Sequence, residues 1–211
     1  MKVAVLGTGR MGRGLAKAFA RAGHEVVIGS RDPGRAKALA EEVNEAVGRD
    51  AARPASGYAD AVSKADLVVL AVPFKVMDEV AGEIKGFVRG KVVIDITNPF
   101  GKFPYGQTSA QEENAKRLPG ARIVAAFKTN FWRTIEEPET STGIRRDCFI
   151  ASDDERAKEL VMKLVKDLGF NPVDTGPLSS CRALDLMVHL LIDLDRKYGW
   201  GAKSSWKLLP P

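Results

Sequence analysis

The residues best placed to do chemistry stand near the start of the chain, in Gly7-Thr8-Gly9-Arg10-Met11-Gly12. This G-x-G-x-x-G spacing follows an apolar run, Val3 to Leu6, and opens a helical pattern that ends near Gly23. A second β-type run begins at Glu25, so the motif sits in a strand–turn–helix–strand unit of about 30 residues, the setting in which it binds dinucleotides. Gly7 permits the tight turn, Gly9 lets the backbone approach a pyrophosphate, and Gly12 allows the helix to pack close to the strand. The pyrophosphate is expected on the helix N-terminus, where unpaired N–H groups and the dipole favour negative charge.

The end of the second strand selects the dinucleotide. The chain reads Val26-Val27-Ile28-Gly29-Ser30-Arg31, with no carboxylate at the tip to hold a ribose 2′-hydroxyl. Ser30 and the guanidinium of Arg31 instead make a clamp for a 2′-phosphate, with Arg35 one helical turn on as a further donor. Asp32, followed by Pro33, reads as the N-cap of the next helix, with proline at its first position. The expected cofactor is NADP(H).

These turns require a sheet to hold them. β-rich runs are expected at Lys2–Leu6, Glu25–Gly29, Leu67–Val72, Val92–Ile96, Arg122–Ala126, Cys148–Ala151 and Pro172–Asp174. Apolar residues recur at helical spacing over Met11–Ala22, Pro33–Val47, Lys75–Phe87, Ser109–Arg117, Asp154–Leu168 and Leu178–Tyr198. The alternation predicts an α/β fold: a Rossmann-type doubly wound, mainly parallel sheet with a C-terminal helical extension. Residues 1–176 are expected to form the NADP-binding domain, and 177–211 a C-terminal helix packing on it or on a partner subunit. Gly48–Gly57 and Phe131–Arg146 are expected to be irregular. In the last helix a polar stripe runs through Arg182, Asp185, His189, Asp193 and Arg196. Leu184, Met187, Val188, Leu191 and Leu194 form a wide apolar arc opposite, and with Trp200, Trp206, Leu208 and Leu209 they predict a homodimer.

Composition narrows the chemistry. The chain has 211 residues, enough for one α/β domain with a small appendage, with 45% hydrophobic and 28% charged residues. A net charge of +5, dispersed along the chain, is too small to announce nucleic-acid binding but suits acidic small molecules. The longest apolar window, Leu67 to Pro73, is far short of a membrane span. The two cysteines, Cys148 and Cys181, are read as reduced thiols in a cytoplasmic protein. The two histidines, His24 and His189, belong to no cluster with metal-ligand spacing, so no metal site is expected.

The chain resembles the NADPH-dependent coenzyme F420 reductase family, which also includes the reductase domain of the STEAP-type metalloreductases. The resemblance is carried by the glycine turn, by Gly23-His24-Glu25-Val26 through Gly29-Ser30-Arg31, by Ala71-Val72-Pro73 and by Asp95-Ile96-Thr97-Asn98-Pro99. Thr108-Ser109-Ala110, Leu118-Pro119-Gly120-Ala121-Arg122, Ala125-Ala126-Phe127-Lys128-Thr129 and Asp174-Thr175-Gly176-Pro177-Leu178 extend it over essentially the whole chain. It implies that Thr8, Gly9, Arg10 and Met11 touch the pyrophosphate, that Ser30, Arg31 and Arg35 hold the 2′-phosphate, and that Ala71, Val72 and Pro73 line the groove. It places Asn98 and the Phe127–Trp132 turn beside the nicotinamide and the second substrate over it, near Lys128 and Thr129. Family members commonly carry Asn or His where this chain has Lys128.

The implied reaction is direct hydride transfer between NADP(H) and the deazaflavin F420. The chain offers no Tyr-x-x-x-Lys and no strand-end histidine for a carbonyl reductase. Transfer to a deazaflavin needs little acid–base help, so proximity carries the catalysis. Lys128, helped by Arg133, is expected to neutralise charge on the acceptor, with Arg145 and Arg146 clustered at the same edge. Two other readings share the NADP half: reduction of a flavin, ferric chelate or imine, and a non-enzymatic NADP-binding sensor.

Overall fold

Alternate residues of the first strand face opposite sides of the sheet: Val3 and Val5 enter one apolar cluster, Ala4 and Leu6 another. A strand buried on both faces needs helices on both, and the chain supplies them. The computed structural model describes residues 1–104, 106–209 and 211. Its main sheet contains β1 (Lys2–Leu6), β2 (Glu25–Gly29), β3 (Ala52–Pro54), β4 (Leu67–Leu70), β5 (Val92–Asp95) and β6 (Arg122–Ala125). Their order is β3-β2-β1-β4-β5-β6 and every neighbouring pair is parallel.

On one face lie α1 (Arg10–Arg21), α2 (Pro33–Val47) and α7 (Glu155–Asp167), which contribute Phe19, Leu39 and Val161 to the first cluster. On the other, α3 (Tyr58–Ser63), α4 (Met77–Ile84), α5 (Ala110–Arg117) and α8 (Cys181–Tyr198) contribute Val62, Val80, Ala110 and Leu184 to the second. The chain winds outward from β1 through β2 to β3, then returns to place β4 on the other side of β1. The crevice at the carboxyl ends of β1 and β4 is the topological switch point, where doubly wound sheets bind ligands.

Three stretches depart from the expected pattern. Gly48–Gly57 holds the short strand β3, and α3 follows it directly. Pro54 lacks an N–H, which an edge strand tolerates and a central one does not. Phe131–Arg146 contains the one-turn helix α6 (Trp132–Glu136) and a bridge between Glu139 and Arg145. The last two strands, β7 (Asp147–Ile150) and β8 (Asn171–Asp174), form a separate parallel pair. An antiparallel bridge, Ala125 to Ala151, joins this pair to the end of β6.

Beyond α8 the chain turns back and is fastened to the body. Asp195 accepts from the main-chain N–H of Ala202 at 2.7 Å, and Trp206 donates its indole N–H to the Met187 carbonyl at 3.1 Å. Asp147 accepts from Lys207 and from the Leu208 main chain, each at 2.6 Å. Arg146, expected beside a substrate, is buried and donates to the carbonyls of Glu137 and Lys203 and to Ser205 Oγ, each at 2.9 Å. Its charge serves this fastening and not the ligand edge.

Candidate functional site

The turn after β1 is built of glycines because backbone occupies the space where side chains would stand. Gly7 has φ +118°, and a Cβ on it would lie 2.3 Å from the Ala71 carbonyl oxygen. A Cβ on Gly12 would lie 2.1 Å from the Gly7 carbonyl oxygen. Gly12 therefore lies behind the turn and does not line the cleft; its part is to let α1 close onto β1. Gly9, by contrast, faces open space: nothing lies within 4 Å of a Cβ built there. It caps α1 without a side-chain hydrogen bond, and the first turn of α1 carries no acidic residue. The N–H groups at this helix start are free to meet an anion.

A cleft of about 1020 Å³ opens over this turn and runs along the carboxyl edge of the sheet. At one end lie Ser30, Arg31, Asp32 and Arg35. Ser30 is buried and its Oγ accepts from the Asp32 N–H at 3.2 Å, which leaves the hydroxyl proton for another partner. Asp32 caps α2 by accepting from the N–H groups of Gly34 and Arg35, at 2.9 and 3.2 Å, so its carboxylate is engaged in the cap. The Arg31 side chain is 58% exposed and meets Glu79 of α4 at 3.5 Å, a loose contact. Tyr58, the first residue of α3, also lines this end; burial raises its hydroxyl pKa above the usual value. Sequence patterning assigns no element to residues 58–66, because α3 has only six residues, too few to show a helical period.

The middle of the cleft is walled by Ala71, Val72 and Pro73 after β4, and by Thr97 and Asn98 after β5. The β5 end is held from below. Asp95, buried at the end of β5, accepts from the Thr97 N–H and from Asn114 of α5, each at 2.8 Å. Gln111 of α5 donates to the Thr97 carbonyl at 2.8 Å. Asn98 donates its amide to the Lys128 carbonyl at 3.0 Å, tying the end of β5 to the end of β6.

After β6 the backbone is strained. Phe127 is fully buried with φ +56°, and its N–H donates to Cys148 Sγ at 3.1 Å. Such a conformation persists only where the surroundings over-determine it, and it is a common device of ligand-binding turns. Trp132, at the start of α6, has the guanidinium groups of Arg10 and Arg133 at 5.2 and 5.0 Å from its ring centroid. Gly14 lets α6 approach α1: a Cβ there would lie 3.2 Å from Ile135.

Lys128 is placed differently from expectation. Its side chain has no exposed surface, and its ammonium is paired with Asp185 of α8. The expected charge at the acceptor edge is instead an internal ion pair, and Lys128 reaches the cleft by its main chain. Asp185, read as part of a polar stripe, is buried, and burial raises its carboxyl pKa although Lys128 opposes the shift. Thr129 is buried and does not line the cleft, nor does Arg133. Val188 and Ile192 of α8 do line it, so the helix expected to pack on the domain or on a partner subunit also covers the site. His189 stands edge-on to Phe100 at 5.4 Å between ring centroids. Cys148 and Cys181 are free and buried, and burial pushes both thiols up to about 12, which keeps them unreactive. Among the described residues no group of His, Cys, Asp and Glu could hold a metal ion, and no helix is long and apolar enough to cross a membrane.

Residues 2–99 match the family model described as NADP oxidoreductase coenzyme F420-dependent. The F420-dependent NADP reductase of Methanothermobacter thermautotrophicus is 36% identical over 209 residues, covering 92% of this chain and 89% of that protein. The chain belongs to the F420-dependent NADP reductase family. The reductase of Methanocaldococcus jannaschii is 28% identical over 94% of both chains. A crystal structure from Arthrobacter sp. FB24, described as a candidate F420-dependent NADP reductase, superposes with a TM-score of 0.87 at 29% identity, with both chains covered in full. The resemblance to this reductase family thus extends through α8 and its tail, beyond the nucleotide-binding half.

Proposed function

We propose that this chain transfers a hydride directly between NADP(H) and coenzyme F420. The observation that carries the reading is the single cleft, which runs without a break from the Ser30–Arg31–Arg35 end to the face of α8. At about 1020 Å³ it stands at the top of the usual range for small-molecule sites. The uncapped start of α1, the open space at Gly9 and the acid-free tip of β2 fit an NADP pyrophosphate and 2′-phosphate. Thr8, Gly9, Arg10 and Met11 are assigned to the pyrophosphate, and Ser30, Arg31 and Arg35 to the 2′-phosphate. Ala71, Val72, Pro73, Asn98 and Trp132 are assigned to the nicotinamide half. The deazaflavin is assigned to the space under Val188 and Ile192, with Phe100 at its mouth.

The bound nicotinamide and deazaflavin supply the hydride donor and acceptor carbons. The protein's part is to stack the two rings and exclude water, a contribution of proximity that can reach several kcal/mol. Among the described residues lining the cleft there is no histidine; its titratable donors are Tyr58 beside Arg31, the exposed Lys75, and Lys128, which is engaged with Asp185. A reaction without a required protein acid suits that lining. The test is absorbance: purified chain and NADPH should bleach the F420 band. NADPH oxidation only with a flavin or ferric chelate would point to another acceptor, and binding without turnover to a sensor.

The Arg31–Glu79 contact yields a further expectation. Glu79 neutralises the arginine assigned to the 2′-phosphate and repels that phosphate. Exposed pairs of this kind are worth about 0–1 kcal/mol. Glu79→Gln should therefore tighten NADP by up to about fivefold and leave NAD unchanged, as read by fluorescence titration with each dinucleotide. A change shared equally by both would place the effect elsewhere.

The assembly is proposed to be a homodimer in the cytoplasm. Leu186 and Leu190 of α8 are about half exposed, as are Trp200 and Leu208, while Leu209 is 80% exposed. Tyr198 stacks on Trp200 at 4.8 Å beside them. A second copy would cover this face, and a single-chain mass in sedimentation would refute it.

A further inference from the structure

We infer that the buried Lys128–Asp185 ion pair is a positioning device that sets the width of the cleft between the turn after β6 and helix α8. The inference rests on the proposed hydride transfer, because that width fixes how closely two stacked rings approach. Lys128 is the knot of three elements. Its carbonyl accepts from Asn98 after β5 at 3.0 Å, its own backbone follows β6, and its ammonium holds Asp185 on α8. Each element also lines the cleft, through Asn98, Phe127 and Asn130, and Val188 and Ile192. Asp185, Val188 and Ile192 are spaced i, i+3 and i+7, so they share one helix face. The pair sits at one end of the face that covers the site.

Stability does not account for the pair. The Lys128 side chain is 0% exposed and that of Asp185 6% exposed, so both charges are removed from water. The Ala110 N–H at the start of α5 also acts on the Asp185 carboxylate, while the like-charged carboxylate of Asp95 and the Cys181 thiol lie near enough to interact with Asp185 or Lys128. A buried pair is often no better than well-packed apolar residues of similar volume, whereas removing one partner alone is strongly destabilising. What a charged pair supplies and an apolar pair does not is a fixed distance and direction between the elements it joins. Neither side chain needs to touch a ligand: Lys128 and Asp185 act through the turn and the helix they hold.

The experiment compares the full chain with the double variant Lys128→Met/Asp185→Leu, which keeps similar branching and removes both charges. Four quantities are measured: thermal unfolding, NADPH affinity by fluorescence, turnover with F420, and the isotope effect with NADPH deuterated at the transferred position. The double variant should fold and bind NADPH within about threefold of wild type, because the phosphate contacts lie at the other end. Its kcat should fall by about tenfold or more, since displacement of about 1 Å at a reacting centre can cost 100-fold. The isotope effect should rise as hydride transfer becomes slower than product release. A kcat within twofold of wild type overturns the proposal. Should the double variant fail to fold, Lys128→Arg decides: it keeps the pair but lengthens it, and an unchanged kcat again overturns the proposal. Amide hydrogen exchange over residues 127–132 with NADPH bound needs no acceptor. Faster exchange in the variant supports the positioning role even if F420 proves not to be the substrate, and unchanged exchange overturns it.

Discussion

Arg31→Ala should raise the Kd for NADP by about ten- to a hundredfold and leave the Kd for NAD within about twofold. Hydrogen bonds to a charged partner contribute about 1.5–3 kcal/mol each, and every 1.4 kcal/mol is tenfold in affinity. The lower end of the range applies if solvent screens the contact, because the Arg31 side chain is 58% exposed. The neighbouring donors bound the loss, since Ser30 and Arg35 remain at the same end of the cleft. Arg31→Ala/Arg35→Ala should then bring the two dinucleotides close to equal affinity. The preference of the wild type should also shrink with added salt, as expected of a partly exposed charge contact. Titration of both dinucleotides at low and high ionic strength checks all three outcomes. Equal weakening of NAD and NADP in Arg31→Ala would mean that the arginine acts on a group both share, and the 2′-phosphate assignment would fall.

The contrast between Arg31 and Lys128 shows what a sequence can disclose. The expected roles of the glycine turn, Ser30, Arg31 and Asp32 depend on residues within a few positions of each other, and the local chain fixes their geometry. Asp32 does cap α2, with Pro33 at the first helical position. Lys128 depends on a residue 57 positions away. Its place after a strand suggested a charge at the ligand edge, and nothing in the neighbouring sequence disclosed that α8 would bring a carboxylate against it. Helical spacing grouped Asp185 with Arg182 and His189 on one stripe. It could not tell that Asp185, the buried one of these three, meets the turn after β6, while Arg182 pairs with Glu112 of α5. Likewise Val188 and Ile192 were legible as apolar, but whether an apolar face meets a ligand, the sheet or a second copy is a tertiary matter. The strand β3 escaped notice because Ala-Arg-Pro is a poor strand sequence, acceptable only at an edge beside β2. Arg146 shows the same limit, since two of its partners, the Lys203 carbonyl and the Ser205 hydroxyl, lie in the distant tail.

The glycine turn permits a sharper separation of folding from binding, because its glycines are small for different reasons. Gly12→Ala should destabilise the fold by about 1–3 kcal/mol or more, the range for overpacking a tight contact. Its new Cβ would stand 2.1 Å from the Gly7 carbonyl oxygen, and backbone cannot swing aside as a side chain can. A lowered thermal midpoint should accompany any loss of activity. Gly9→Ala should behave otherwise. Its φ of −74° suits an L-residue and a Cβ there meets nothing within 4 Å, so the fold should lose no more than about 1 kcal/mol, the scale of a poorer helix cap. Yet that open space is where the pyrophosphate is assigned, and a methyl group there should hold it away from the helix N–H groups. Affinity for NADP and NAD should fall together, by about tenfold or more, since each lost hydrogen bond to a charged group is worth about 1.5–3 kcal/mol. This shared loss is the opposite of the selective one expected at Arg31. Thermal unfolding of both glycine variants, together with titration of both dinucleotides into Gly9→Ala, gives a pattern that neither misfolding nor a general charge effect produces. Undiminished binding by a folded Gly9→Ala chain would mean that the pyrophosphate does not rest on the start of α1.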